Sequence, residues 1–261
     1  MKLGLAIAAG LIVLAIVATF AGQRALVFPA PRPPRTPAPE LGQLVRLPST
    51  VALWSPPLAD APVVVHFHGN GEQLADLGPV VAAMRARGLG VLAVEYPGYG
   101  VASGSPSEMA LVSAGREALV YARETLHVAP GRLILQGQSL GSGVASQLAA
   151  RGYAAKLVLI SPFTSVTELA SRMVPLLPAR WLVRDRFETR ATAQAVSIPV
   201  LIVHGDCDEI VPFSMGEDLA RAFPKARLVR VAGAHHNDLW IEHARELTEA
   251  IARFAVSSEA R

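Results

Sequence analysis

Residues 133–143 read LILQGQSLGSG, an apolar run that passes straight into a serine set among glycines. Leu133, Ile134 and Leu135 have the continuous apolar character of a strand buried on both faces, and helical spacing takes over from Leu140. Gly137, Gly141 and Gly143 remove side chains where strand and helix must approach each other, and Ser139 falls on the turn between them. Strand, sharp turn and helix in this order form the setting in which a strained elbow lifts a serine hydroxyl above a sheet. A glycine-rich turn with an idle serine fits the same local string. The string alone arises by chance in roughly one chain in ten of this length. The residues that a nucleophilic serine requires must therefore decide.

Serine at neutral pH needs a base to take its proton and an acid to hold that base, and in this setting both lie downstream in the order Ser, Asp, His. The stretch 201–212, LIVHGDCDEIVP, offers Asp206, Asp208 and Glu209 after a buried strand. The stretch 230–240, RVAGAHHNDLW, offers His235 and His236 after another. Stabilising the tetrahedral oxyanion takes preorganised N–H groups. The amide after the nucleophile, Leu140, is one candidate donor. The turn in 63–72, VVVHFHGNGE, supplies the other, with Gly69 and Gly71 letting the Asn70 N–H point inward. His66 and His68 are expected to pack in the sheet and brace that loop, with no proton-transfer role.

Working outward, short apolar strands are expected at 43–47, 51–54, 63–67, 91–95, 132–136, 156–160, 200–203 and 227–231, with helical periodicity at 73–87, 108–127, 140–150, 214–223 and 238–254. The alternation predicts one α/β domain over 42–256, built on a mostly parallel eight-stranded sheet with helices on both faces. Residues 161–195 form an insertion that suits a small helical cap. Met173, Val174, Leu176, Leu177, Trp181, Leu182 and Phe187 are its candidates for an acyl pocket, with packing onto the body as the competing role. Tyr96 and Tyr99 are expected at the rim of the site. Glu108 is read as part of the following helix's N-terminus, capped by Ser105 or Ser107.

The chain has 261 residues, 51% of them hydrophobic, and a formal charge of +3. Lys2, Arg24, Arg32 and Arg35 stand against Glu40 alone before residue 41, which leaves 20 cations and 20 anions in the remainder. That balance and the lack of a basic stripe exclude nucleic acid as a partner. Cys207 is the single cysteine, which rules out an intramolecular disulfide and a cysteine-ligated zinc site; it is read as a small buried filler.

Residues 3–22 carry no charge over about 20 positions, enough to span roughly 30 Å of hydrocarbon as a helix. A single-pass membrane anchor over 1–23 is expected, with a cleaved export signal as the alternative. Lys2 on one side and three arginines on the other give opposing cues, so the side of the membrane stays open. Prolines at 29, 31, 33, 34, 37 and 39 make 24–41 an extended linker, and 257–261 reads as a tail.

With these residues in view, the chain resembles the α/β-hydrolase-domain superfamily, in the serine-aminopeptidase-like branch that includes palmitoyl-protein thioesterase-type proteins. The resemblance covers about 40–255 and rests on HGNGE, EYPGYGVASGSPSE, GQSLGSGVA, SPFTSV, LPARWLVRDRFET, PVLIVHGDCDEIVP and GAHHNDL, in the family order. It implies an α/β-hydrolase fold and assigns the catalytic acid to Asp208 and the base to His236, with Asp206 and His235 as fallbacks. His235 stands where the family usually has glycine. It further implies a serine hydrolase that cleaves an ester or thioester through an acyl-enzyme, with no metal or organic cofactor. A small-molecule or lipidated acyl substrate is expected. A serine aminopeptidase or amidase is the alternative, and a non-catalytic membrane-anchored binding protein is the reading from another class. The oligomeric state has no signature in the sequence.

Overall fold

A computed structural model describes residues 20, 22–175 and 178–257. Eight strands form one sheet: β1 Gln43–Arg46, β2 Val51–Ser55, β3 Val63–Phe67, β4 Gly90–Val94, β5 Leu133–Gln138, β6 Lys156–Ile160, β7 Val200–Gly205 and β8 Ala226–Val231. Their spatial order is β1-β2-β4-β3-β5-β6-β7-β8. The β1/β2 and β2/β4 pairs are antiparallel and every later pair is parallel. Strands β3, β4, β5 and β7 are buried along their whole length, which is why they read as unbroken apolar runs.

Besides the helical segment 22–27, the described residues form α1 Gly78–Arg85, α2 Glu108–Glu124, α3 Leu140–Ala149, α4 Val166–Met173, α5 Ala179–Leu182, α6 Thr189–Thr192, α7 Phe213–Ala222 and α8 Ala244–Val256. The alternation of strand side chains sorts the core into two layers. Val63, Val65, Phe67, Leu133 and Leu135 meet α2, α3 and α7, whereas Val64, Ile134, Val158, Ile160, Leu201 and Val203 meet α1 and α8. The sheet is thus covered on both faces, as the sequence predicts.

Three expectations shift. The helix expected from residue 73 begins as a 3-10 turn, Leu74–Asp76, before α1, with Gln73 and Asp76 forming a reciprocal capping box. The helix expected from residue 238 starts only at Ala244, because the Asp238 carboxylate accepts the His235 N–H at 2.9 and 3.0 Å and folds that segment into a turn. Cys207 is exposed rather than buried, since it lies beyond the end of β7 on a surface loop.

The insertion 161–195, expected as a cap, contains α4, α5 and α6 between β6 and β7 and is pinned to the body through polar contacts. Asp185 accepts from Arg24 Nε at 3.0 Å and from the Glu108 N–H at 2.9 Å, while Glu108 accepts from the Arg186 N–H and from Gln147 Nε2, each at 2.7 Å. Ser107 is the cap of α2, accepting from the Ala110 N–H. Most of the expected membrane anchor lies outside the described residues, which contain no helix long and apolar enough to cross a membrane. Residues 22–27 are helical and lead into the domain.

Candidate active site

Ser139 sits between β5 and α3 with φ 48° and ψ −113°, a conformation that a residue with a side chain adopts at a cost. The strain is held from outside: the Ser139 N–H donates to the Ile160 carbonyl at 2.9 Å, and the Ser139 carbonyl accepts the Ser142 N–H at 2.9 Å and the Ser142 hydroxyl at 2.6 Å. The neighbouring glycines are sterically required. A Cβ at Gly137 would run into the Gly141 carbonyl, and one at Gly141 into the Phe67 carbonyl. Strand and helix therefore approach too closely for any side chain, and the hydroxyl is left partly exposed above the sheet.

His236 Nε2 lies 3.0 Å from Ser139 Oγ, and its Nδ1 lies 2.7 Å from Asp208 Oδ2. A carboxylate facing Nδ1 fixes the proton there, so Nε2 presents a lone pair to the serine hydroxyl. The second Asp208 oxygen accepts the Ile210 and Val211 N–H groups at 3.0 and 2.7 Å. Burial pushes the Asp208 carboxyl towards protonation, but hydrogen bonds from His204 and His236, the imidazole charge and the Val211 N–H outweigh it and hold the group far below the usual carboxylate range. The fallback residues point elsewhere. Asp206 pairs with Arg230 and accepts the Gly233 N–H, and His235 faces Glu209 at 3.0 Å on the surface.

Two neighbours of this group lie outside the expected site residues, although His204 belongs to the block PVLIVHGDCDEIVP. Trp240 Nε1 donates to Gln138 Oε1 at 2.6 Å, tying the loop of His236 to the residue before Ser139. His204 Nε2 donates to the Val211 carbonyl at 2.9 Å and lies 3.3 Å from Asp208 Oδ2, four residues along the chain. It thereby supports the same carboxylate that His236 contacts.

The loop after β3 is equally constrained. Asn70 Oδ1 accepts from the Tyr99 hydroxyl at 2.7 Å and Nδ2 donates to the Val27 carbonyl at 2.6 Å, so both ends of the amide are held. The Gly69 N–H is taken by Glu72 at 2.6 Å, whereas the Asn70 and Leu140 N–H groups have no protein acceptor among the described residues. Beneath the loop, His68 is fully buried, with Nδ1 2.8 Å from the Gly69 carbonyl and Nε2 3.0 Å from Glu95. Both partners are acceptors, so both ring nitrogens carry protons. Burial alone would depress this imidazole, yet the hydrogen bond and charge of Glu95, with Glu72 adding, raise its pKa overall. His66 packs within the sheet beside Gln136 at 2.8 Å.

This arrangement of an elbow serine and two loops at the carboxyl ends of parallel strands coincides with a family match. The model described as "Serine aminopeptidase, S33" matches residues 59–189, just over half of the chain. The chain belongs to the serine aminopeptidase S33 family of α/β hydrolases. A second model, "TAP-like protein", matches residues 169–259 of this hydrolase. An uncharacterised protein of Mycobacterium tuberculosis is 38% identical over 195 residues, covering 74% of this chain and 69% of that relative. Among solved structures, the Pyrococcus furiosus esterase Pf2001 superposes with a TM-score of 0.70 at 15% identity, over 86% of this chain and 95% of that one. Est1E from Butyrivibrio proteoclasticus, bound to ferulic acid, gives 0.67 at 20% identity, over 82% and 97%. At such identities these two report the fold of this S33-family hydrolase.

The expected pocket residues fare differently. Tyr99 and Tyr96 are fully buried rather than at a rim, because their hydroxyls are used inward on Asn70 and on the His68 carbonyl. Met173 and Trp181 are each 71% exposed and so enclose nothing. Phe187 is a core residue, edge-on to Phe28 at 6.3 Å. Leu177 lies outside the described residues.

Proposed function

We propose that Ser139, His236 and Asp208 act as nucleophile, base and acid in the hydrolysis of a carboxylic ester or thioester with an apolar acyl group. The hydrogen-bonded chain from Ser139 Oγ through the His236 imidazole to the Asp208 carboxylate, at 3.0 and 2.7 Å, carries this assignment. The hydroxyl attacks the substrate carbonyl as His236 takes its proton, and the ionised Asp208 stabilises the resulting imidazolium. The Leu140 and Asn70 N–H groups receive the tetrahedral oxygen. His236 then protonates the leaving group, and water, deprotonated by the same imidazole, hydrolyses the acyl-enzyme.

Support for an ester comes from fold neighbours named as esterases and from the bound ferulic acid of Est1E. The family description favours a second reading, cleavage of an amide at a peptide N-terminus by the same groups. We further take residues 3–22 as a membrane anchor, on their uncharged length.

A fluorophosphonate probe is expected to label the wild type and to fail with Ser139→Ala. A folded wild type that does not label would refute the triad. Graded p-nitrophenyl esters, acyl thioesters and aminoacyl amides then rank the leaving groups. Turnover confined to the amides would replace the ester reading with the peptidase one.

A further inference from the structure

The face beside the site carries groups that the hydrolysis does not use. Gln23 Nε2 donates to the Leu182 carbonyl at 3.0 Å, the Arg184 N–H donates to Gln23 Oε1 at 2.8 Å, and Arg24 pairs with Asp185 at 3.0 Å. Four residues on, the Val27 carbonyl accepts from Asn70. The short helix 22–27 thus touches both the cap and the loop of the proposed oxyanion donor. The chain enters the domain next to the site.

Outward from these contacts, Leu26 is 74% exposed, and Met173 and Trp181 are 71% exposed, the last two on α4 and α5, which pack against one another. Large apolar side chains exposed on neighbouring helices, as on α4 and α5, commonly mark a surface that does not meet water alone. Their surroundings are cationic. Residues 171–190 contain five arginines, of which Arg172 pairs with Glu168 at 2.9 Å, against Asp185 and Glu188, and Asp185 is buried and already held by Arg24 and the Glu108 N–H. The Arg180 guanidinium lies over the Trp181 ring at 5.1 Å, and that of Arg184 over the Phe20 ring at the same distance. An aromatic body beside a cationic head matches the boundary between acyl chains and anionic headgroups. A second copy of this face would set arginines against arginines, which disfavours self-association through it. Finally, the uncharged stretch 3–22 runs directly into helix 22–27, so its sequence ends at this face.

We propose that helix 22–27 and the cap face bearing Met173 and Trp181 lie on an anionic bilayer surface, with Arg180 and Arg184 on lipid phosphates and Trp181 at the acyl boundary. This rests on the anchor reading of residues 3–22. Ser139 then opens beside the lipid phase, where an apolar acyl chain partitions.

The test uses the full chain reconstituted in phosphatidylcholine vesicles containing phosphatidylglycerol, with Trp181→Phe to isolate the emission of Trp181 from that of Trp54 and Trp240. Aqueous iodide should lose most of its access to Trp181, and acyl-chain-brominated lipid should quench it. On vesicles of phosphatidylcholine alone the protection should weaken. Chain that sediments with vesicles while Trp181 stays open to iodide overturns the docking and leaves the anchor intact. Protection from iodide without bromolipid quenching also overturns it, pointing to contact with a second copy of the chain, and equal protection on both lipid mixtures overturns the anionic requirement. Chain that remains in the supernatant refutes the anchor and the docking together.

Discussion

At the scale of single residues, the environment of Asp208 decides what His236 can do. The carboxylate receives two backbone N–H groups on one oxygen and imidazoles on the other, so it stays ionised and keeps the His236 proton on Nδ1. Asp208→Asn keeps the size of the side chain but presents either an amide that favours the wrong tautomer or a neutral oxygen that stabilises imidazolium poorly. A fall in kcat/KM on the order of 10⁴-fold is expected, beyond what the accompanying loss of stability explains when both proteins are assayed well below their thermal midpoints. Activity within tenfold of wild type on the best p-nitrophenyl ester would show that Asp208 has no such role. Because Asp208 titrates far below its ordinary range, protonation of this group should add no limb to the pH–rate profile above about pH 4.

At the scale of elements, β3 carries two buried histidines whose titrations oppose each other. Burial, with the neighbouring His68 adding, pushes His66 down to about 3 from its ordinary 6.5. The unfolded chain therefore takes up a proton first, and the stability tied to neutral His66 is present above pH 6.5 and lost as pH falls towards 3. His68 is raised, so its contribution is complete below pH 6.5 and disappears as pH climbs through its folded value. Between pH 7 and pH 5 the His66 term should remove about 2 kcal/mol. Urea unfolding at both values should show this loss in the wild type relative to His66→Asn, a comparison in which His68 is common to both proteins. Equal pH responses in the two proteins would mean that His66 is not buried in its neutral form.

At the scale of the whole molecule, Asp185 joins three parts that are distant in sequence: helix 22–27 through Arg24, the start of α2 through the Glu108 N–H, and the cap itself. Asp185→Ala leaves that N–H and the guanidinium without their acceptor, at a cost of about 2 kcal/mol for charge-assisted hydrogen bonds. Limited proteolysis should then cut first within 161–195, and the urea midpoint should fall. An unchanged cleavage pattern would show that the cap holds without this link.

Much of the fold was legible in the sequence because its signals are local. Apolar runs such as PVVVHF and PVLIVHG mark strands whose burial needs only neighbouring strands, and the glycines around Ser139 mark a close approach visible within ten residues. Helix starts were less legible where a side chain serves another loop, as Asp238 does for His235. By itself the sequence determined the parallel α/β architecture, the serine on its turn, and the acid and histidine segments downstream, since each is encoded in residue type and short-range spacing. Between Asp208 and Asp206 residue type and spacing left the choice open and the family resemblance favoured Asp208; only the tertiary structure decided that His204 shares that carboxylate, that Tyr99 is spent on Asn70, and that helix 22–27 reaches the same loop. Those contacts depend on where a side chain points once strands tens of residues apart lie side by side, and a hydrogen bond is specific to within tenths of an ångström, a precision that residue spacing does not carry.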